Sequence, residues 1–98
     1  MRSLSLCGVL VFAACATTAP PTDQIAAARA MVGQARLEAA REAPAELANA
    51  QTKLARAEDA MQRGDYEAAR RLAEQAELDA KLAWTMAENA RAQRRERP

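Results

Sequence analysis

Apolar residues recur at alternating steps of three and four along most of the chain after position 22, and charged residues fill the positions between them. This spacing places the apolar side chains on one face of an α-helix. Two breaks interrupt the pattern, at Pro44 and at Gly64-Asp65. The pattern therefore predicts three helices, at about residues 23–42, 45–63 and 66–94.

The residues at the breaks support these boundaries. Thr22 or Asp23 is a good N-cap for the first helix, and Pro44 is tolerated in the first turn of the second. Gly64 is expected to end the second helix, with Asp65 as the N-cap of the third. Because short turns make neighbouring helices antiparallel, we predict an all-α fold, an antiparallel three-helix bundle with a long third helix.

Alanine dominates the predicted contact face, or seam, of each helix. Its small side chain allows helix axes to approach to the lower end of the usual range of ~8–10 Å. The first seam is Ile25, Ala28, Val32, Ala35 and Ala39, and the second is Leu47, Ala50, Leu54, Ala57 and Met61. The third is Tyr66, Ala69, Ala73, Ala76, Ala80, Ala83, Ala87 and Ala90, widened by Leu72, Leu82 and Met86.

The third helix is predicted to outrun the other two. At 1.5 Å per residue the first two helices span roughly 30 Å and the third roughly 43 Å, so about nine residues should project past the Pro44 turn. Trp84 is expected near that turn, either closing the bundle or contacting a partner. The projection carries the other possible partner-binding residues, which are Met86, Arg91, Arg94 and Arg95, together with Arg97.

The first fifteen residues read as an export signal. Arg2 precedes an apolar run of eleven residues from Leu4 to Ala14. Crossing a bilayer takes ~20 residues, so the run fits the core of a signal peptide instead. Val11-Phe12-Ala13-Ala14-Cys15 resembles a bacterial lipobox, in which the cysteine is acylated and cleavage occurs before it, although Phe12 stands where leucine is preferred. We therefore predict a signal peptide over 1–14 and lipidation at Cys15.

Two other interpretations of the leader remain open, ordinary cleavage to a soluble periplasmic protein and a retained membrane anchor. Residues 15–22 form the lipidated cysteine and a tether, stiffened by Pro20 and Pro21, and 23–98 the helical domain. Ala16 follows the cysteine where an aspartate would be an inner-membrane retention signal. By resemblance to bacterial sorting signals this favours the outer membrane, with the domain facing the periplasm.

Composition argues against several functions. There are 14 basic and 13 acidic residues and no histidine. A balanced chain lacks the basic footprint of a nucleic-acid binder. The missing histidine removes the commonest acid–base residue and metal ligand. Both cysteines lie in the N-terminal apolar stretch, so the helical domain has no internal disulfide. We expect no enzyme activity, no cofactor and no metal.

The part of the chain from Ala43 to Ala90 resembles a bacterial family known only as domain of unknown function 4398. The matching features are Ala43-Pro44 followed by Glu46-Leu47, the Ala50/Leu54/Ala57 steps, the Gly64-Asp65-Tyr66 turn and the alanine series of the third helix. The resemblance implies an exported helical protein, in a family often associated with OmpA-like modules. It supplies no activity. The turn also looks like one tetratricopeptide junction, but a single junction does not make a repeat array.

The resulting expectation is a non-catalytic structural or adaptor lipoprotein that binds an envelope protein, such as an OmpA-like protein, through its helix surfaces. An alternative is association with peptidoglycan or a membrane surface through the arginine-rich tail. Self-association through the alanine seam is a third possibility.

Overall fold

The computed structural model describes residues 19–97. The predicted leader, Cys15 and the first part of the tether lie outside this range. The described chain folds into three helices, α1 (Thr22–Ala39), α2 (Pro44–Gln62) and α3 (Tyr66–Glu96). They form an antiparallel bundle in which α3 packs against both other helices, and α1 and α2 contact each other least. The predicted all-α fold with a long third helix is confirmed.

The core consists almost entirely of alanine. Thirteen of the sixteen buried apolar residues are alanines, and the others are Ile25, Val32 and Leu47. Within residues 19–97, every side chain that is fully buried is an alanine. Each buried methyl group contributes little, at ~0.8 kcal/mol per carbon, so the bundle depends on many close contacts along its length.

The seams of α1 and α3 are largely those predicted, but two large residues of α3 lie at the surface. Leu82 is 51% exposed and Met86 37% exposed, whereas both were expected to widen the seam. Alanine on the facing positions explains the difference, because it brings the helix axes close and leaves no room for longer side chains beside the contact.

The start and end of α1 differ from the prediction. Its N-cap is Pro21, and no side chain accepts a hydrogen bond there, so neither Thr22 nor Asp23 caps the helix. The helix ends at Ala39, three residues before the predicted end, and residues 40–42 form a turn. Ala43 follows this turn with a φ of −136° and a ψ of +56°, outside the helical region, and Pro44 begins α2.

The connection between α2 and α3 follows its predicted chemistry. Gly64 has a φ of +78°. Its N–H donates to the Met61 carbonyl at 3.2 Å, and the Asp65 N–H donates to the Ala60 carbonyl at 2.9 Å. These two bonds make a Schellman motif. The Asp65 carboxylate accepts from the Ala68 N–H at 3.3 Å, which confirms Asp65 as the N-cap of α3.

Candidate interaction surfaces

A cluster of four charged residues lies where the last turns of α3 pass the end of α1. We call Glu38, Glu42, Arg91 and Arg94 the charged cluster. Arg91 Nη1 lies 3.1 Å from Glu38 Oε2, and Arg91 Nη2 donates to the backbone carbonyl of Glu38. One guanidinium therefore holds both the side chain and the backbone of Glu38, which ties α3 to the last turn of α1.

Glu42 is the centre of the cluster. Its carboxylate Oε1 lies 2.6 Å from Arg94 Nη2 and 4.0 Å from Arg91 Nε, and its side chain is only 11% exposed. The hydrogen bond from Arg94 lowers the pKa of Glu42 below its ordinary 4.5, and the nearby positive charges add to this effect against the opposing effect of burial. Glu42 is therefore a carboxylate at neutral pH, shared by two arginines.

These contacts correct the predicted projection of α3. Ala87 is fully buried and Arg91, four residues later, pairs with Glu38 of α1, so the contacts of α3 continue for more than one turn beyond Met86. Arg91 and Arg94 contact the α1–α2 connection and do not project freely. All residues of 92–97, including Arg95, are exposed. The predicted projection was counted from Pro44. The turn at 40–42 lies at the same end of the bundle and provides further residues for α3 to contact. Long side chains on a helix also lean back toward its N-terminus.

Trp84 is half-buried, and its placement differs from the one expected. It precedes Arg91 by seven residues, nearly two helical turns, and so lies on the same flank of α3, the flank that contacts α1. It therefore lies about two turns before the α1–α2 connection, along the side of the bundle. A partner-binding role for Trp84 stays a prediction.

An exposed apolar stripe runs along α3. It comprises Leu78, Leu82 and Met86, which are 64%, 51% and 37% exposed. Steps of four residues keep these side chains on one face of the helix. This surface was not predicted, because the spacing of Leu82 and Met86 placed them beside the alanine seam. The available signal was Leu78, a leucine off the alanine series and one turn before Leu82.

Two further ion pairs join neighbouring helices and help to fix how they lie lengthwise, and a third lies at the end of α2. Lys53 Nζ lies 2.6 Å from Asp79 Oδ2, joining α2 to α3, and Arg29 Nε lies 2.8 Å from Glu58 Oε1, joining α1 to α2. Within α2, Arg63 pairs with Asp59 at 2.9 Å, as its i,i+4 spacing indicates. The pairs between helices could not be read from the chain, since they depend on the register of the bundle.

Two concavities open on the described surface. One, of about 370 Å³, lies beside the charged cluster and also involves Leu37, Ala40 and Arg41. The other, of about 340 Å³, lies between α1 and α2, with Val32 and Leu54 among its lining residues. Among residues 19–97 there is no cluster of three or more potential metal ligands, and no helix long and apolar enough to cross a bilayer.

The comparisons with known proteins give the family and little more. No curated protein and no solved structure matches the chain significantly. A family model described as "Domain of unknown function (DUF4398)" matches residues 23–97, which is the whole of the described bundle. This match agrees with the resemblance carried by the turn and alanine motifs. The chain belongs to the DUF4398 family.

Proposed function

We propose that this protein is a lipid-tethered, non-catalytic structural or adaptor protein of the bacterial envelope, which docks a protein partner on the apolar stripe of α3. The observation that carries the proposal is the exposure of Leu78, Leu82 and Met86 in a domain whose core is made of alanine. The fold covers only about half or less of Leu78 and Leu82, so much of their apolar surface is left for a partner to cover.

The stripe has the form of a helix-docking surface. Its three side chains span about 12 Å along α3, at 1.5 Å per residue. Fully burying a leucine or methionine contributes ~1.5–3 kcal/mol, so covering the stripe would supply a substantial part of a binding free energy. Contiguous exposed apolar residues with polar surroundings are typical of protein interaction sites.

The leader supports the proposed location. Its lipobox-like segment supports acylation at Cys15, and α1 begins only seven residues later, at Thr22. Pro20 and Pro21 in between favour an extended backbone. The bundle would therefore be held close to the surface of the membrane, with outer-membrane sorting favoured by Ala16.

The charged residues support a non-catalytic role. The carboxylates of the charged cluster are each engaged by an arginine. The chain has no histidine to act as a general base. The same pairing reduces the support for the tail-based alternative, since Arg91 and Arg94 are held by glutamates and only the last residues of the tail stay fully available to cell-wall polymers.

The docking proposal is tested by replacing the stripe. Leu78→Ser, Leu82→Ser and Met86→Ser are combined in the full-length protein, which is crosslinked in its native membrane. The expected result is loss of the crosslinked species. Arg56→Ser is the control, because Arg56 is exposed but lies on α2, away from the stripe and from both concavities. An unchanged crosslinking pattern with the triple variant, at normal protein levels, contradicts the proposal.

The location is tested independently. Labelled palmitate should enter the wild-type protein and be absent from the Cys15→Ala variant. Globomycin, which inhibits lipoprotein signal peptidase, should block processing. If globomycin leaves processing unaffected and no labelled palmitate is incorporated, the prediction of a lipid tether is wrong. This conclusion does not depend on the crosslinking result for the stripe. Binding to purified sacculi that disappears on truncation after Ala90 would favour the tail-based alternative.

A further inference from the structure

The concavity beside the charged cluster carries more positive than negative charge in its lining. Arg41, Arg91 and Arg94 line it together with only two acids, Glu38 and Glu42. Both acids are already engaged, since Arg91 lies 3.1 Å from Glu38 and Arg94 lies 2.6 Å from Glu42. Arg41 is exposed and forms no ion pair with any residue from 19 to 97. The unbalanced positive charge of the lining is therefore that of Arg41.

Arg41 lies next to an unusual apolar residue. Leu37, four positions earlier, lines the same concavity and is 85% exposed, more than any other large apolar residue of the described chain. Arg94 also lines this concavity, with its side chain 61% exposed and only Nη2 bonded to Glu42. Two guanidinium groups with free donors thus line one open volume of about 370 Å³ together with an exposed leucine.

This arrangement selects for one kind of ligand. A guanidinium presents planar paired donors that match a carboxylate. An exposed leucine is complementary to an apolar side chain. A membrane surface would also accept an exposed leucine, but recognition of anionic lipids or of a polyanion rests on clusters of several basic residues. Of the three arginines in this lining, Arg91 and Arg94 are already paired with glutamates, which leaves only Arg41.

We propose that this concavity binds a carboxylate from an acidic peptide segment of a partner protein, with a neighbouring apolar side chain of that segment packed on Leu37. Arg41 and Arg94 donate to the carboxylate, and Glu42 holds Arg94 in position. The site is separate from the apolar stripe, so it would either extend the same partner interface or accept a second segment.

The test uses the full chain in mild detergent and a fluorescein-labelled heptapeptide made of glutamate and leucine. Fluorescence anisotropy should show binding, and Arg41→Ala or Leu37→Ser should each weaken it by about tenfold, the loss expected for one charge-assisted contact or one apolar contact. The matched controls are Arg56→Ala and Leu78→Ser, at exposed positions on α2 and on the stripe. Both should leave binding unchanged. All four changes are at exposed positions, and circular dichroism checks that each variant is folded.

Several results would overturn the proposal. One is absence of binding to the wild-type protein, and another is equal binding of a peptide with glutamine in place of glutamate. Binding to anionic phospholipid vesicles that requires Arg41 but not Leu37 would instead identify a membrane contact. If Leu78→Ser abolishes peptide binding and Leu37→Ser leaves it unchanged, the peptide binds the stripe and not the concavity. Because the stripe test uses different residues and a different readout, either proposal can fail alone.

Discussion

The two connections of the bundle reverse the chain by different means. Between α2 and α3, Gly64 and Asp65 complete the reversal with bonds to residues no more than five positions away. Between α1 and α2, the chain takes a longer turn, and this end is held by Arg91 and Arg94 from the far end of α3. The α2–α3 connection is fixed by local bonds. The α1–α2 connection has one local bond, from the Ala43 N–H to the Ala39 carbonyl at 2.9 Å, and otherwise depends on contacts across more than fifty residues. Local sequence therefore specifies one end of the bundle much more fully than the other.

The largest expected effect comes from the buried residue of the α1–α2 connection. Ala43 is 1% exposed and belongs to the core. Ala43→Leu forces extra atoms into a closely packed site, which should lower the free energy of unfolding by ~1–3 kcal/mol. Ala45→Leu, at an exposed position two residues later, is the control and should change it little. Thermal melts followed by circular dichroism compare the two, and equal melting temperatures would show that this connection is loosely packed.

A smaller loss is expected at the α2–α3 connection. Gly64 has a φ of +78°, so Gly64→Ala should cost ~1–2 kcal/mol from backbone strain alone. Gly33 is the matched control, because it lies inside α1, is exposed, and has no neighbouring atom within 4 Å of an added Cβ. Gly33→Ala should instead stabilise the protein by ~0.5–1 kcal/mol. Urea unfolding measures both, and effects of the same sign would contradict this account of the turn.

The smallest effect is expected from the charged cluster, and it depends on pH. The pKa of Glu42 is lowered in the folded protein from 4.5, mainly by its hydrogen bond from Arg94. A lowered carboxyl pKa stabilises the fold above the unfolded-state pKa, and that contribution is lost as pH falls through the folded value. Glu42→Gln should therefore melt at a lower temperature than wild type at neutral pH. The difference should shrink as pH falls below 4.5, and a difference independent of pH would contradict the ion-pair account.

Much of the fold follows from the chain because its signals are local. The three-and-four spacing predicted the helices. Pro44 and Gly64 predicted the breaks, because proline restricts the backbone wherever it occurs and glycine readily adopts a positive φ, as it does at Gly64. The N-cap of α1 was wrong because Thr22 and Asp23 were judged by residue type, whereas the chain enters the helix directly from Pro21.

The candidate surfaces depend on how far apart and in what register the helices lie. The sequence singled out Arg91 and Arg94 but not their partners, because Glu38 and Glu42 are more than fifty residues away. It assigned Leu82 and Met86 to the core because spacing alone cannot tell how much room an alanine contact leaves beside it. Leu37 and Arg41 have no sequence signal of a site, because only the packing of α3 along α1 brings them beside Arg94.

The most direct test of the docking function is site-specific photo-crosslinking in the intact envelope. A photoreactive amino acid replaces Leu78 or Leu82 on the apolar stripe, or Ala55 at an exposed position on α2. The account predicts a discrete adduct from positions 78 and 82, which disappears when Met86→Ser is added, and none from position 55. Equal yields at all three positions, or no adduct from the stripe, would contradict it.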